Sequence, residues 1–479
     1  MSGPGPTEFD LAVVGAGVVG CAVARHLALA GATVIVLDRS SDVGNGTSKA
    51  NTAILHTGFD TEPGSLESRL VARGRILLAG YATAAGIAVE RTGALVVAWD
   101  DEQQSVLLSL LAKARANGCM DPELIEVDEV RLLEPHLGSG ARAGLVVPGE
   151  WVIDPWSVTL AFATEAARAG TELRLNTPVI GIDSSVEGHE IRVPDGVIRA
   201  RWLVNAAGLG ADLVNAMLGH RDFTVAPRRG QLIVFDKLAR RLLTRIVLPV
   251  PAARTKGVLV SPTTWGNILL GPTAEDLDDR SDTATTAEGI RRLMADGRRI
   301  LPALANEEVT AVYAGLRAAT EHRDYQVRLH ADQRYVVVGG IRSTGLTSSL
   351  ALAEHVAGLL DGAGAVWARP PAASAPPAMP PLGERQVRPL SDPTRIDSDP
   401  AYGTAICHCE QVSRGEVRDA CHAPVPATDL GGIRRRTRAM NGRCQGFYCG
   451  AMVVALVAAE TGTDPADLTR MPRLPRLPA

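Results

Sequence analysis

The sequence predicts an α/β chain with a strand–turn–helix–strand opening suited to a dinucleotide, a β-rich second lobe interleaved with it, and a small C-terminal module. Three observations carry this prediction. A Gly15-x-Gly17-x-x-Gly20 run separates a β-prone segment from a helix-patterned one. Short β-prone segments follow one another through the middle of the chain. Beyond a proline-rich stretch, four cysteines form two close pairs.

Taken in order, residues 9–14 read as a strand, residues 21–30 as a helix that Gly31 stops, and residues 33–37 as a second strand ended by Asp38. Residues 67–85 are helix-like and 91–98 strand-like. Asp154 and Pro155 precede a helical stretch over 156–169, and the runs 173–182 and 191–204 follow as strands. Residues 229–235, 246–248, 257–261 and 267–270 are β-rich and predict a mixed sheet in the second lobe. Residues 335–338 form a strand, followed by glycines and a helix to 359. Residues 369–400 hold nine prolines without periodicity, which predicts an extended, semi-rigid spacer. The expected organisation is a first unit over 1–368, a linker over 369–400 and a second unit over 401–479.

Composition narrows the class. With 479 residues, 46% hydrophobic and 21% charged, the chain is that of a globular protein with a sizeable core. A net charge of −4 gives no reason to expect a nucleic-acid or membrane-surface partner. The apolar run 11–24 contains three glycines and falls short of the ~18 residues of a membrane span. The N-terminal residues lack a basic region followed by an apolar stretch, so no secretory signal is expected, and the predicted location is cytoplasmic.

The glycine motif has its full context. A strand precedes it, a helix follows, and Asp38 ends the next strand 18 residues past Gly20. Gly15 allows the tight turn, Gly17 lets the backbone approach a pyrophosphate, and Gly20 lets helix and strand pack closely. The pyrophosphate would meet the helix N-terminus, and Asp38 would accept from ribose hydroxyls, giving a Rossmann-like site. Three stretches favour FAD over NAD. Gly46-Thr47-Ser48-Lys49-Ala50-Asn51 supplies small hydroxyl and amide groups. Residues 204–208, ending in Ala207 and Gly208, let the chain pass close to a cofactor. The run 339–347 again places glycines before a helix, whose N-terminus can stabilise an anionic reduced flavin.

Five of the seven cysteines fall in the last 73 residues. This uneven, odd set does not read as a disulfide framework. Cys407 and Cys409 form C-x-C, and after 34 intervening residues come Cys444 and Cys449 with four between them. Four thiolates suit a [2Fe–2S] cluster; a structural zinc bound by the same four is the alternative. Cys21, Cys119 and Cys421 read as small buried residues.

Together these segments carry a resemblance. Residues 8 to about 360 resemble the D-amino-acid-oxidase-like flavoproteins, most closely the FAD-dependent glycerol-3-phosphate and L-2-hydroxyglutarate dehydrogenases. The carriers are residues 10–17, 46–56, Ile153-Asp154-Pro155, 205–208, 227–230, Gly315-Leu316-Arg317 and Gly345-Leu346-Thr347. Residues 405–460 resemble the bacterioferritin-associated-ferredoxin-like [2Fe–2S] domain, with an arginine run over 434–438. The founding ferredoxins have a closer final cysteine pair than Cys444 and Cys449. The resemblance also places Arg39, Val179, Gly340, Leu346 and Thr347 around the flavin.

It implies a dehydrogenase that oxidises a small anionic secondary alcohol. Such chemistry needs a base, a hydride path and a cationic anchor. His56 is the expected base. Arg317 is the expected anchor, with Arg229 and Lys256 as further candidates. Ala318 follows Arg317 where the family often has proline, and the charged stretch 320–324 is expected to border the pocket. Glycerol 3-phosphate is the first expected substrate and a 2-hydroxy acid the second. An amine or amino-acid oxidase and a non-catalytic electron-transfer subunit are the alternatives. A fused cluster implies electrons handed singly to a partner protein or quinone, with other subunits and any membrane contact coming through such a partner.

Overall fold

The strand Glu8–Val14 is buried along almost its whole length, as expected of a parallel strand covered on both faces. It lies at the centre of an eight-stranded sheet in a computed structural model that describes residues 8–251 and 257–469. On one side it pairs in parallel with Val34–Leu37, which pairs with Glu172–Arg174. On the other it pairs in parallel with Gly196–Asn205, beside which runs Tyr335–Gly339. The helix Val18–Leu29 packs between Gly345–Gly362 and Pro155–Arg168. Leu11, Val13, Val23, Leu27, Phe162 and Val356 fill the core there.

Two expected strands come out differently. Residues 173–182 do not run as one strand: Glu172–Arg174 ends, a loop crosses the sheet edge, and Gly181–Ser184 begins a separate hairpin. Residues 191–204 are divided between His189–Val193 and Gly196–Asn205, which pair antiparallel. The break is at Pro194 and Asp195, since proline has no N–H for a ladder and Asp-Gly favours a tight turn. Two further elements, the helix Asp101–Ala116 and the strand Val309–Thr320, had no counterpart in the sequence reading.

The second lobe is a nine-stranded sheet. Its spine is the antiparallel pair Val225–Phe235 and Val309–Thr320, in register from Val225↔Thr320 to Val234↔Ala311. One end of this pair reaches the C-terminal ends of the first sheet's parallel strands. In open α/β sheets, ligands bind there.

Residues 369–400 lie along the first unit as a strap. The Arg369, Ala372 and Met379 amides donate to the Gly31, Leu29 and Ala85 carbonyls (3.3, 2.8 and 2.9 Å), and Glu384 N donates to Thr264 O (2.8 Å). The C-terminal unit has its own core of Val417, Ile433, Val453 and Val457. It is bound tightly to the first unit. Asp42, 1% exposed, accepts from Arg435 (2.5 Å) and Arg436 (2.7 Å), both on the helix Leu430–Thr437. Burial pushes the Asp42 carboxyl up, but the two guanidiniums outweigh it and hold the group below the usual carboxylate range. The Trp265 ring sits between the Trp156 ring (4.3 Å) and the Arg438 guanidinium (4.5 Å). Among the described residues no helix is long and apolar enough to cross a membrane.

Candidate functional site

A cavity of about 740 Å³ opens where the two sheets meet. Of the residues expected around a flavin dinucleotide, Gly15, Gly17, Asp38, Arg39, Gly46, Thr47, Ser48, Asn51, Val179, Ala207, Gly208, Gly340, Gly345 and Leu346 line it. Gly15 has φ +109°, and a Cβ on it would meet Ala206 O at 2.4 Å. Gly20 lies off the cavity; a Cβ there would lie 1.9 Å from Gly15 O, so it serves packing alone. Two helices, Val18–Leu29 and Gly345–Gly362, start at the wall; neither N-cap residue caps its helix with its own side chain, and the Val18 amide donates to Ser48 Oγ (3.0 Å). Their first N–H groups suit an anionic ligand. Asp38 accepts from the Ala16 and Ser40 amides (2.6 and 2.7 Å). A carboxylate has further lone pairs for ribose hydroxyls. These residues fit FAD.

Thr347 does not line the cavity. It is fully buried, and its hydroxyl accepts from His56 N (3.0 Å). It positions the histidine.

His56 lines the cavity, and a residue that sequence reasoning missed holds it. The strand Ile54–Leu55 pairs antiparallel with Trp151–Ile153 in the register Ile54↔Val152, Leu55↔Trp151. One step further, His56 falls beside Glu150. His56 Nδ1 lies 3.0 Å from Glu150 Oε2, while Glu150 Oε1 accepts from Thr57 N (2.5 Å) and Thr57 Oγ1 (2.8 Å). Glu150 is wholly buried. An ionised carboxylate only accepts, so Nδ1 donates to it, and in the neutral imidazole Nε2 keeps the lone pair.

Arg317 also lines the cavity. Its guanidinium donates to Thr273 O (3.4 Å), and no carboxylate pairs with it among the described residues. Burial first and Arg228 second lower it to about 10. Arg229 is not an anchor. Side chains alternate along a strand, so Arg228 faces the cavity and Arg229 turns to the opposite face. There Arg229 is engaged by Glu275 (2.8 Å) and Asp282 (2.8 Å). Lys256 lies outside the described residues. Arg342, not singled out from sequence, adds a third guanidinium to the wall, and its Nε is buried without a partner. The charged stretch 320–324 mostly turns away: Asp324 accepts from the Leu66 and Glu67 amides (2.7 and 2.9 Å), and only Thr320 reaches the cavity.

The four cysteines converge at the other site. Cys407 and Cys449 are buried, and Cys409 and Cys444 are half-buried. Their sulfurs interact as two pairs, Cys407 with Cys449 and Cys409 with Cys444. The backbone N–H of Tyr448, joined by those of Gly446 and Phe447, lowers the Cys444 thiol. Burial, with Cys407 alongside, pushes Cys449 up to about 11. Four cysteines so gathered would hold a [2Fe–2S] cluster through their thiolates. The arginine run is neither a solvated face nor a free docking patch. Arg435 and Arg436 clasp Asp42, Arg438 pairs with the buried Glu410 (2.7 Å), and Arg434 donates to Met440 O (2.8 Å).

Residues 10–359 match the FAD dependent oxidoreductase family, DAO. The chain belongs to this family. Residues 405–459 match the BFD-like [2Fe-2S] binding domain, so FAD and a [2Fe–2S] cluster are the cofactors of this DAO-family oxidoreductase. It is 32% identical to a glycerol 3-phosphate dehydrogenase of Caloramator mitchellensis, over 96% of each chain. A glycerol 3-phosphate oxidase of Mycoplasma pneumoniae is 30% identical over 74% of this chain and 94% of its own. The solved L-alpha-glycerophosphate oxidase of Mycoplasma pneumoniae, with FAD bound, superposes with a TM-score of 0.72 at 28% identity, covering 77% of this chain and 98% of its own. The DAO-family chain is therefore an FAD-dependent oxidoreductase of the glycerol-3-phosphate dehydrogenase type.

Proposed function

We propose that the chain oxidises glycerol 3-phosphate to the corresponding ketone and delivers the electrons through its cluster to a partner protein or quinone. The observation that carries this reading is the cavity's pairing of a tautomer-fixed His56 with the carboxylate-free Arg317. When bound, FAD takes the hydride and the [2Fe–2S] cluster passes electrons singly. His56 Nε2 accepts the hydroxyl proton of the substrate carbon. Glu150 holds the imidazole in that tautomer and stabilises the charge it gains. Arg317 and Arg228 grip the phosphate with paired N–H groups, which favour a planar or tetrahedral oxyanion.

The extent of the relatives supports a dehydrogenase. The dehydrogenase relative matches the chain through its iron–sulfur unit, whereas the oxidase relative covers 74% of it. The test is anaerobic absorbance of the purified holoprotein before and after glycerol 3-phosphate, then after L-2-hydroxyglutarate. Flavin bleaching by glycerol 3-phosphate, with an artificial one-electron acceptor restoring the oxidised spectrum, is expected. Bleaching by the hydroxy acid alone overturns the substrate, and stoichiometric hydrogen peroxide in air with no acceptor-dependent turnover overturns the electron route.

A further inference from the structure

Away from the cavity, His220, Asp222 and His330 bring one ligand atom each within 4.8 Å of one another. His220 and Asp222 lie in the loop between the helix Ala211–Met217 and the strand Val225–Phe235, and His330 ends the strand Gln326–His330. None of the three lines the flavin cavity.

Hydrogen bonds set the state of His220. Gln333 Nε2 donates to Leu218 O (3.4 Å), which leaves Gln333 Oε1 to accept from His220 Nε2 (2.7 Å). Nε2 therefore carries the proton, and Nδ1 is the free lone pair. An imidazole whose far N–H is held by a carbonyl is oriented in the way metal-ligating histidines are.

His330 supplies the complementary signal. Its Nε2 is buried, has no hydrogen-bond partner and lies 3.6 Å from Asp222 Oδ2. A buried polar nitrogen left so in a folded protein calls for an occupant such as a water or an ion. The Asp222 carboxylate is steadied from one side by Arg328 Nη1, 3.3 Å from Oδ1, and its backbone carbonyl accepts from His322 Nε2 (3.2 Å). The two imidazoles stack at 3.7 Å between centroids and 24° between planes, so one ring must tilt to share an ion with the other.

We propose that His220, Asp222 and His330 bind a divalent transition-metal cation, with Zn²⁺ as the natural probe. Two imidazoles and a carboxylate are a borderline donor set that suits zinc and its neighbours, with water completing the shell. The ion would fasten the loop over 218–224 to an edge strand of the flavin-binding sheet.

The test uses full-length holoprotein whose flavin and cluster contents are verified by absorbance. Zinc chloride is titrated calorimetrically into wild type, His330→Gln and Gln333→Leu. Wild type is expected to bind one equivalent that His330→Gln loses. Gln333→Leu removes no ligand but frees the His220 ring, and it is expected to weaken binding by roughly 10- to 100-fold. Saturating zinc should raise the melting temperature of wild type and leave that of His330→Gln unchanged. If His330→Gln fails to fold, Gln333→Leu decides. Equal stoichiometry and affinity in wild type and the variants, or a wild type that takes up no zinc, overturns the site.

Discussion

Arg228 and Arg317 stand directly opposite each other across the antiparallel ladder of the second lobe, with both guanidiniums on the cavity face. Like charges facing each other in a sheet are unfavourable, and here both are partly buried as well. Gly230, two residues along, leaves the room: a Cβ there would come within 2.9 Å of Arg317 Nη2. Asp276 offsets part of the charge on Arg228 (3.4 Å), and under the proposed function an anionic substrate would relieve the rest. Replacing Arg317 with methionine is therefore expected to stabilise the ligand-free protein by about 1–3 kcal/mol. The same change should raise the KM for glycerol 3-phosphate at least 100-fold. Chemical denaturation and steady-state kinetics check the two halves, and a destabilised variant would contradict the account.

Glu150→Gln carries a sharper expectation. Thr57 donates twice to one carboxylate oxygen, so a glutamine must turn its carbonyl oxygen there and its NH₂ toward His56 Nδ1. The imidazole then flips tautomer, and Nε2 carries a proton where a lone pair is needed. A fall in kcat on the order of 10²-fold is expected, with KM little changed and an altered pH profile of kcat. Unchanged kcat with a matching loss of stability would make Glu150 purely structural.

The clasp between the two units rests on Asp42. Asp42→Asn leaves Arg436, 4% exposed, without its anion. A loss of about 3 kcal/mol is expected, in line with breaking a buried ion pair. The Asp42 carboxyl is held below the usual range, so its contribution is present above the unfolded value and is lost as pH falls through the folded one. Urea unfolding at neutral and acid pH measures both: the wild type–variant difference should shrink in acid.

His189 gives a second pH signature. It is 2% exposed, lies 2.9 Å from Ser184 Oγ through Nδ1 and 3.3 Å from Arg334 O through Nε2. Burial depresses it below the ordinary imidazole value, with the Arg334 and Gln333 carbonyls only partly offsetting this. In the unfolded chain it gains a proton near pH 6.5 while the folded chain does not, so stability falls as pH drops below about 6.5. His189→Gln should flatten the melting temperature across that window.

Much of the dinucleotide unit was legible in sequence because strand, glycine turn, helix and acidic residue are local in the chain. The cysteine pairs were legible for the same reason. Glu150 was not, since it meets His56 only through a two-residue ladder, and nothing marks so short a strand in advance. The choice between Arg228 and Arg229 was equally hidden: a strand's alternation is visible, but which face meets the cavity depends on the partner strand. Composition revealed the proline-rich stretch yet not its fastening, because the Ala372 and Met379 amides find partners far away in sequence.

The Asp42 clasp has a thermodynamic corollary. Asp42 lies a few residues before Gly46, Thr47 and Ser48 on the cavity wall, and the arginines that hold it precede Cys444 by one short loop. Whatever orders the iron–sulfur unit also orders that stretch of the flavin site. Coupling across such a clasp is reciprocal: whatever help cluster assembly lends to flavin retention, flavin binding returns to the cluster by the same factor.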